Sequence, residues 1–161
     1  MKYLFSFLLS CSILVSLNGQ IKCSTKDFRI TEATVQSWSP GAMQPNSKKS
    51  GGLIYQIKIN ILKTKQLRFD SLYLDGNLLA VEVVKGADRN YAGTLTKGDV
   101  VLILARKDNG QAPRKASAKL AAGISKSKKT GDGFIRYWIK NKQYVSSVTE
   151  FKMTSSQTRN Q

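Results

Sequence analysis

The sequence contains no histidine, and only two of its 161 residues are cysteine. Histidine is the commonest general base and zinc ligand, so its absence removes most familiar acid–base and metal chemistry. The acidic residues are scattered, and no pair stands out as the two carboxylates that a glycosidase needs. A hydrolase stays open only through acids that folding would bring together, such as Asp70 and Asp99. We therefore expect a protein that is not an enzyme and that uses no cofactor or metal.

Long apolar runs are confined to the start of the chain. A charged start precedes an apolar segment from Tyr3 to Leu17, and Gly19 closes the run ahead of Gln20. This layout is typical of a secretory signal peptide, which we predict over 1–19. The apolar segment is shorter than the ~20 residues that a membrane-spanning helix requires. The sequence therefore predicts an exported protein, periplasmic or extracellular, with no transmembrane segment after signal removal.

Cys11 permits a second interpretation of the same segment. Leu8-Leu9-Ser10-Cys11 resembles the acylation site of a lipoprotein, in which Cys11 would become the lipid-anchored first residue. The apolar stretch before Cys11 is short and continues beyond it, which favours the signal peptide. If the segment is a signal peptide, Cys11 is removed with it and Cys23 is the single remaining cysteine. No intrachain disulfide can then form, so the stability of the domain depends on its hydrophobic core.

Apolar residues after the leader alternate with a period of two rather than 3.6, which predicts β-strands. A change of phase near Asp70-Ser71 predicts a β-bulge, and Asp75-Gly76 predicts a tight hairpin turn. The continuous apolar run from Val100 to Ala105 predicts a central strand buried on both faces. The predicted strands are 28–38, 53–61, 67–74, 78–84, 100–105, 134–139 and 143–148.

About seven short strands with turn signals between them predict an all-β protein built as an antiparallel β-sandwich. An immunoglobulin-like topology is the candidate subtype, although the Cys–Trp–Cys pattern of antibody domains is missing. A small antiparallel barrel is the structural alternative. We predict a single β-sandwich domain over 20–153 and a disordered tail over 154–161.

Positive charge dominates the chain, with 26 lysines and arginines against 10 acids and a formal net charge of +16. The excess is concentrated between positions 106 and 142, where Asp108 and Asp132 are the only acids. Such a field attracts polyanions and speeds their capture. The predicted polyanion-binding residues are the cations of this segment and one aromatic: Arg106, Lys107, Arg114, Lys115, Lys119, Lys126, Lys128, Lys129, Arg136, Lys140, Lys142 and Tyr144.

Tyr137 and Trp138 lie among these cations, and exposed aromatic rings can stack on sugars or bases. Neighbours on a strand point to opposite faces, so at least one of the two is expected to be buried. Export disfavours nucleic acid as the partner and leaves an anionic polysaccharide, lipopolysaccharide or an acidic protein. We therefore expect a non-catalytic binding domain with a basic surface. The alternative is a structural or assembly subunit of an envelope complex, in which the charge serves solubility.

Several strand and turn patterns together resemble one group of proteins. They are the leader ending Leu17-Asn18-Gly19, Trp38-Ser39-Pro40-Gly41, Tyr55-Gln56-Ile57, Phe69-Asp70-Ser71-Leu72-Tyr73-Leu74, Lys97-Gly98-Asp99-Val100-Val101, and the aromatic hairpin around Tyr137 and Tyr144. In these features the chain resembles small exported β-rich proteins of Bacteroidetes-type bacteria, a largely uncharacterised group. The resemblance implies a periplasmic or envelope location, and it carries no active site over to this sequence.

Overall fold

The computed structural model describes residues 22–23, 26–39, 51–109, 114–116 and 133–158. These ranges contain strands and no helix, so the prediction of an all-β protein is confirmed. The predicted leader over 1–19, including Cys11, lies outside the described residues. The strands in chain order are β1 (Lys22–Cys23), β2 (Phe28–Ser39), β3 (Gly52–Ile61), β4 (Leu67–Leu74), β5 (Asn77–Val84), β6 (Val100–Asp108), β7 (Arg114–Lys115), β8 (Gly133–Ile139), β9 (Lys142–Val148) and β10 (Lys152–Thr158).

The described strands form one continuous sheet in the order β1-β9-β8-β4-β5-β6-β3-β2-β10, with β7 pairing to β5 off this path. Strand β5 joins two halves of this sheet, one formed by β1, β9, β8 and β4 and the other by β6, β3, β2 and β10. Asn77–Ala80 of β5 pairs with β4, whereas Val81–Val84 pairs with β6. The sheet curls strongly into a half-barrel. Neither the predicted β-sandwich nor its immunoglobulin-like subtype is confirmed, since strand pairing runs through β5 without a break between two sheets.

The core fills the inside of the curl and connects its two halves. Phe28 of β2 packs edge-on against Phe69 of β4 and Tyr137 of β8, with ring centroids 5.5 and 5.0 Å apart. Strand β2 lies near one end of the sheet path and β8 near the other, so this contact exists only because the sheet curls. The period-two pattern supplies the rest of the core, as in β3, where Ile57 and Ile59 are fully buried.

Two local predictions in the centre of the sheet are confirmed. The pairing of β4 with β8 shifts register between Phe69 and Ser71, which is the predicted bulge at Asp70. Asp75 and Gly76 connect β4 to β5 with φ angles of 47° and 80°. Positive φ at both central residues defines the type I′ turn, whose twist matches that of the flanking strands.

Strand β6 is central, as predicted, but the prediction that both its faces are buried is wrong. Val101 and Ile103 face the core and are buried, whereas Val100 is 49% exposed and Leu102 is half-buried. The apolar run extends over both faces, but within the described ranges no second layer covers the outer face of β6. The continuous apolar run therefore led to a prediction of more burial than this strand has.

Strand β10 occupies part of the segment predicted to be a disordered tail. Lys152–Thr158 pairs in parallel with β2, and Thr154 Oγ1 donates a hydrogen bond to the carbonyl oxygen of Val35 at 3.3 Å. The segment predicted to be a disordered tail thus includes strand β10 over positions 154–158, while 159–161 lie outside the described residues. The physical reason is that the outer edge of β2 presents backbone groups that a further strand can pair with.

Candidate functional site

The predicted binding residues are spread over several parts of the sheet. Arg106 and Lys107 lie on β6, Arg114 and Lys115 form β7, and Arg136 lies on β8. The turn and strand that follow carry Lys140, Lys142 and Tyr144. Four further lysines lie outside the described residues, namely Lys119, Lys126, Lys128 and Lys129.

Two of the predicted residues make contacts within the fold. Arg136 forms an ion pair with Asp70, the residue at the β-bulge. Tyr144 stacks on the buried Tyr137, with ring centroids 5.6 Å apart and an angle of 21° between the ring planes. Its ring is therefore engaged in packing against the core cluster. These contacts make Arg136 and Tyr144 poor candidates for meeting a ligand.

Arg106 and the residues of β7 are partly engaged as well. The Arg106 guanidinium lies 4.9 Å from the ring centroid of Trp38, and its Nε is 3.9 Å from Asp108 Oδ1. The backbone of β7 pairs with the start of β5, and the adjacent Ala116 packs on a small outer cluster of Phe134 and Val145. Arg114 and Lys115 nevertheless keep exposed side chains.

One depression on the outer face, lined by described residues, surrounds Trp138. The register of β4 and β8 places Trp138 opposite Arg68, and the Arg68 guanidinium lies 5.5 Å from the centroid of the Trp138 ring. This distance is within the range of a cation–π contact. The surrounding depression has a volume of about 320 Å³, and we call it the Trp138 groove. It is lined by Gln66, Arg68, Trp138, Lys140 and Asn141.

The strand alternation explains why Trp138 is available at this surface. Tyr137 points inward and is 0% exposed, while its neighbour Trp138 is half-buried on the outer face. The prediction that at least one of the two is buried is therefore confirmed. Lys140 follows in the turn after β8 with a φ angle of 54°.

The Trp138 groove is rich in hydrogen-bond donors and has no carboxylate among its lining residues. Within the described part of the chain, neither Arg68 nor Lys140 forms an ion pair. Trp138 Nε1 is buried without a hydrogen-bond partner among the described residues. A buried donor without a partner is unfavourable, so an acceptor-bearing ligand that reached Trp138 Nε1 would gain from pairing with it.

Sequence reasoning missed Arg68, Gln66 and Asn141. Arg68 stands between the inward residues Leu67 and Phe69, so the alternation alone places it on the outer face. Its cross-strand neighbour Trp138 is 70 positions away in the sequence. Local sequence patterns do not predict which residues of two such distant strands lie opposite each other. The missing signal was the pairing of β4 with β8.

A second polar cluster anchors the segment between β5 and β6. Lys85 Nζ lies 2.7 Å from Asp99 Oδ2 and 5.0 Å from the centroid of the Tyr91 ring. The backbone N–H of Thr96 also donates to Asp99 Oδ2, at 2.7 Å. The hydrogen bond from Lys85 lowers the pKa of Asp99, and the same bond raises the pKa of Lys85.

We expect the Lys85–Asp99 pair to stabilise the fold in a pH-dependent way. Because the pKa of Asp99 is lower in the folded protein, its contribution is present above the ordinary value of 3.8 and is lost as the pH falls through the lowered pKa. Asp99→Asn should therefore be less stable than the wild type at neutral pH, with a shallower loss on acidification. Urea midpoints measured from pH 7 to pH 2 would check this.

Asp88→Asn is the matched control for Asp99→Asn, because Asp88 is exposed in the same segment and forms no ion pair within the described ranges. Its acid dependence should follow that of the wild type. Equal acid dependence in the wild type and in Asp99→Asn would contradict the assigned role of the pair.

Comparisons of the chain with models of protein families, with curated proteins and with solved structures gave no match. In the described ranges no group of three or more histidine, cysteine, aspartate or glutamate side chains could hold a metal ion. The same ranges contain no helix with the length and apolar character needed to cross a membrane. The chemistry of the Trp138 groove is therefore the basis for a functional proposal.

Proposed function

We propose that the protein is an exported, non-catalytic binding domain that recognises an anionic carbohydrate of the cell envelope at the Trp138 groove. The observation that carries this proposal is the position of the Trp138 indole beside Arg68 and Lys140, two cations that form no ion pair with any described residue. Export is supported by the signal-peptide pattern over 1–19.

The lining of the groove suits a charged sugar. The face of an aromatic ring offers apolar area on which the apolar face of a sugar ring can stack, and Trp138 is the aromatic residue that lines the groove. The Arg68 guanidinium can grip a carboxylate or phosphate with two parallel hydrogen bonds. The amides of Gln66 and Asn141 can each donate to and accept from hydroxyl groups.

Size and charge support the same class of ligand. The volume of about 320 Å³ is at the lower end of the ~300–1,000 Å³ range of small-molecule sites. This volume is suited to one or two sugar rings. The formal net charge of +16, with exposed cations such as Arg114, Lys115 and Lys142, would draw a polyanionic chain toward the groove.

Arg68→Gln tests the proposal because it removes the charge next to Trp138 and keeps a polar side chain. We expect it to weaken binding of oligogalacturonate, an anionic oligosaccharide, by about tenfold or more, since hydrogen bonds to charged groups are strong. Trp138→Leu, which removes the aromatic ring but keeps an apolar side chain, is expected to have an effect of similar size. Isothermal titration calorimetry measures both.

Lys58→Gln is the matched control, because Lys58 is an exposed cation on β3 without an ion pair in the described ranges. It should change the affinity by less than about twofold, as expected for a general field effect. An equal loss for Lys58→Gln and Arg68→Gln would sink the assignment to the groove. A protein partner captured equally well at low and high salt would instead favour the assembly-subunit alternative.

A further inference from the structure

The Trp138 groove continues into a second opening where β4 and β5 part. The two strands pair only between Ser71–Leu74 and Asn77–Ala80, and beyond that point β5 turns to pair with β6. The start of β4, Leu67–Phe69, pairs with β8 on one side and has no strand partner on the other within the described ranges. The resulting wedge, which we call the β4–β5 cleft, has a volume of about 230 Å³.

The β4–β5 cleft has a different chemical character from the groove beside it. It is lined mainly by apolar and aromatic side chains, with Gln66, Arg68, Asn90 and Ala92 at its margin: Leu67, Phe69, Val81, Val83 and Tyr91. Gln66 and Arg68 also line the Trp138 groove, so the two openings share a wall. An apolar depression and a cationic one therefore lie side by side.

The far wall of the cleft is held in place by hydrogen bonds. The Tyr91 N–H donates to the Val83 carbonyl oxygen at 2.8 Å, and the Tyr91 hydroxyl donates to the Thr94 carbonyl oxygen at 3.1 Å. The Lys85 ammonium, itself paired with Asp99, lies 5.0 Å from the Tyr91 ring. These contacts fix the position of Tyr91 in the wall of the cleft.

We propose that the β4–β5 cleft takes the apolar chain of an anionic glycolipid whose charged sugar headgroup lies in the Trp138 groove. The inference rests on the proposed function and narrows its ligand from an anionic carbohydrate to an acylated one. Charge complementarity selects this occupant, because Arg68 and Lys140, which form no ion pair among the described residues, line the groove, and the apolar residues line the cleft next to it. A ligand with both groups would bury the apolar surface and pair the cations together.

The chain-length dependence of phosphate binding tests the inference. The probes are methyl phosphate and dodecyl phosphate, the latter kept below its micelle-forming concentration, with dodecyl maltoside as an uncharged chain of equal length. We expect dodecyl phosphate to bind about tenfold or more tightly than methyl phosphate, because each buried methylene adds to the affinity. Dodecyl maltoside should bind more weakly than dodecyl phosphate, since it leaves Arg68 without an anion.

Ala92→Trp fills the cleft from its exposed margin without shortening a core side chain. It should reduce the advantage of dodecyl phosphate over methyl phosphate to within about twofold, because the chain no longer finds apolar surface to bury. Ala87→Trp is the matched control, since Ala87 is exposed in the same segment between β5 and β6 but does not line the cleft. Urea denaturation of both variants shows whether the fold is intact.

The outcomes separate the two proposals. Equal affinity for methyl and dodecyl phosphate would overturn the cleft as a lipid site and leave the groove proposal standing. A chain-length effect that survives Ala92→Trp, or that Ala87→Trp removes equally, would also overturn it. Failure of the groove proposal is recognised by oligogalacturonate binding that does not respond to Arg68→Gln, whatever the alkyl phosphates do.

Discussion

Replacing Phe28 with alanine is expected to lower the free energy of unfolding by about 3–5 kcal/mol, the usual cost of deleting a buried phenyl ring. Phe28 is 1% exposed and packs edge-on against both Phe69 and Tyr137. It is thus the side chain of β2 that reaches the opposite half of the curled sheet. Its loss leaves a cavity where the two halves meet, and the strand pairing within each half cannot compensate for it.

Urea denaturation followed by far-ultraviolet circular dichroism measures the effect of Phe28→Ala. Val100→Ala is the matched control, because it also shortens an apolar side chain in a strand but at a position that is 49% exposed. The control should stay within about 0.5 kcal/mol of the wild type, as surface substitutions usually do. Similar losses for the two variants would mean that the aromatic cluster does not hold the halves together.

Lys65→Met is expected to destabilise the fold by about 1–3 kcal/mol, because it leaves a buried carboxylate without its charged partner. Asp27 is 4% exposed, and its Oδ1 lies 2.5 Å from Lys65 Nζ. The backbone carbonyl of Asp27 also accepts hydrogen bonds from the N–H groups of Leu62 and Lys63. Since the Lys65 side chain is 38% exposed, water can partly replace it, and the cost stays below that of a fully buried pair.

A double-mutant cycle isolates the pair from other effects of Lys65→Met. In the Asp27→Asn background the same lysine replacement should cost clearly less, because the carboxylate charge is already gone. Lys63→Met is the control, since Lys63 is an exposed lysine of the same loop. Additive losses in the cycle would show that the ion pair contributes nothing beyond its separate residues.

Sequence patterns correctly predicted the structural features that are determined by residues close together in the chain. The strand over 67–74, the bulge at Asp70 and the turn at Asp75-Gly76 each depend on residues within a few positions of one another. The curl of the sheet and the parallel pairing of β10 with β2 depend on contacts between distant segments. Period-two alternation says which face is apolar but not which strand covers it, so these features could not be derived.

The same distinction applies to the candidate site. The alternation of β8 predicted that Tyr137 and Trp138 face opposite ways, and the basic segment contained Lys140. The pairing of β4 with β8 decided the rest, because it brought Arg68 to the Trp138 ring and Asp70 to Arg136. A cation count along the chain treats Arg136 and Lys140 alike, although Arg136 pairs with Asp70 and Lys140 pairs with no carboxylate in the described ranges.

Strand β5 couples the register of its pairing with β4 to the register of its pairing with β6. A shift of its pairing with β4 by one residue would have to continue into its pairing with β6, because the backbone between Ala80 and Val81 is unbroken. Such a shift would turn Leu79 and Val83 out of the core at the same time. A shift of β5 is therefore penalised in both pairings, so this eight-residue strand ties its alignment with β4 to its alignment with β6.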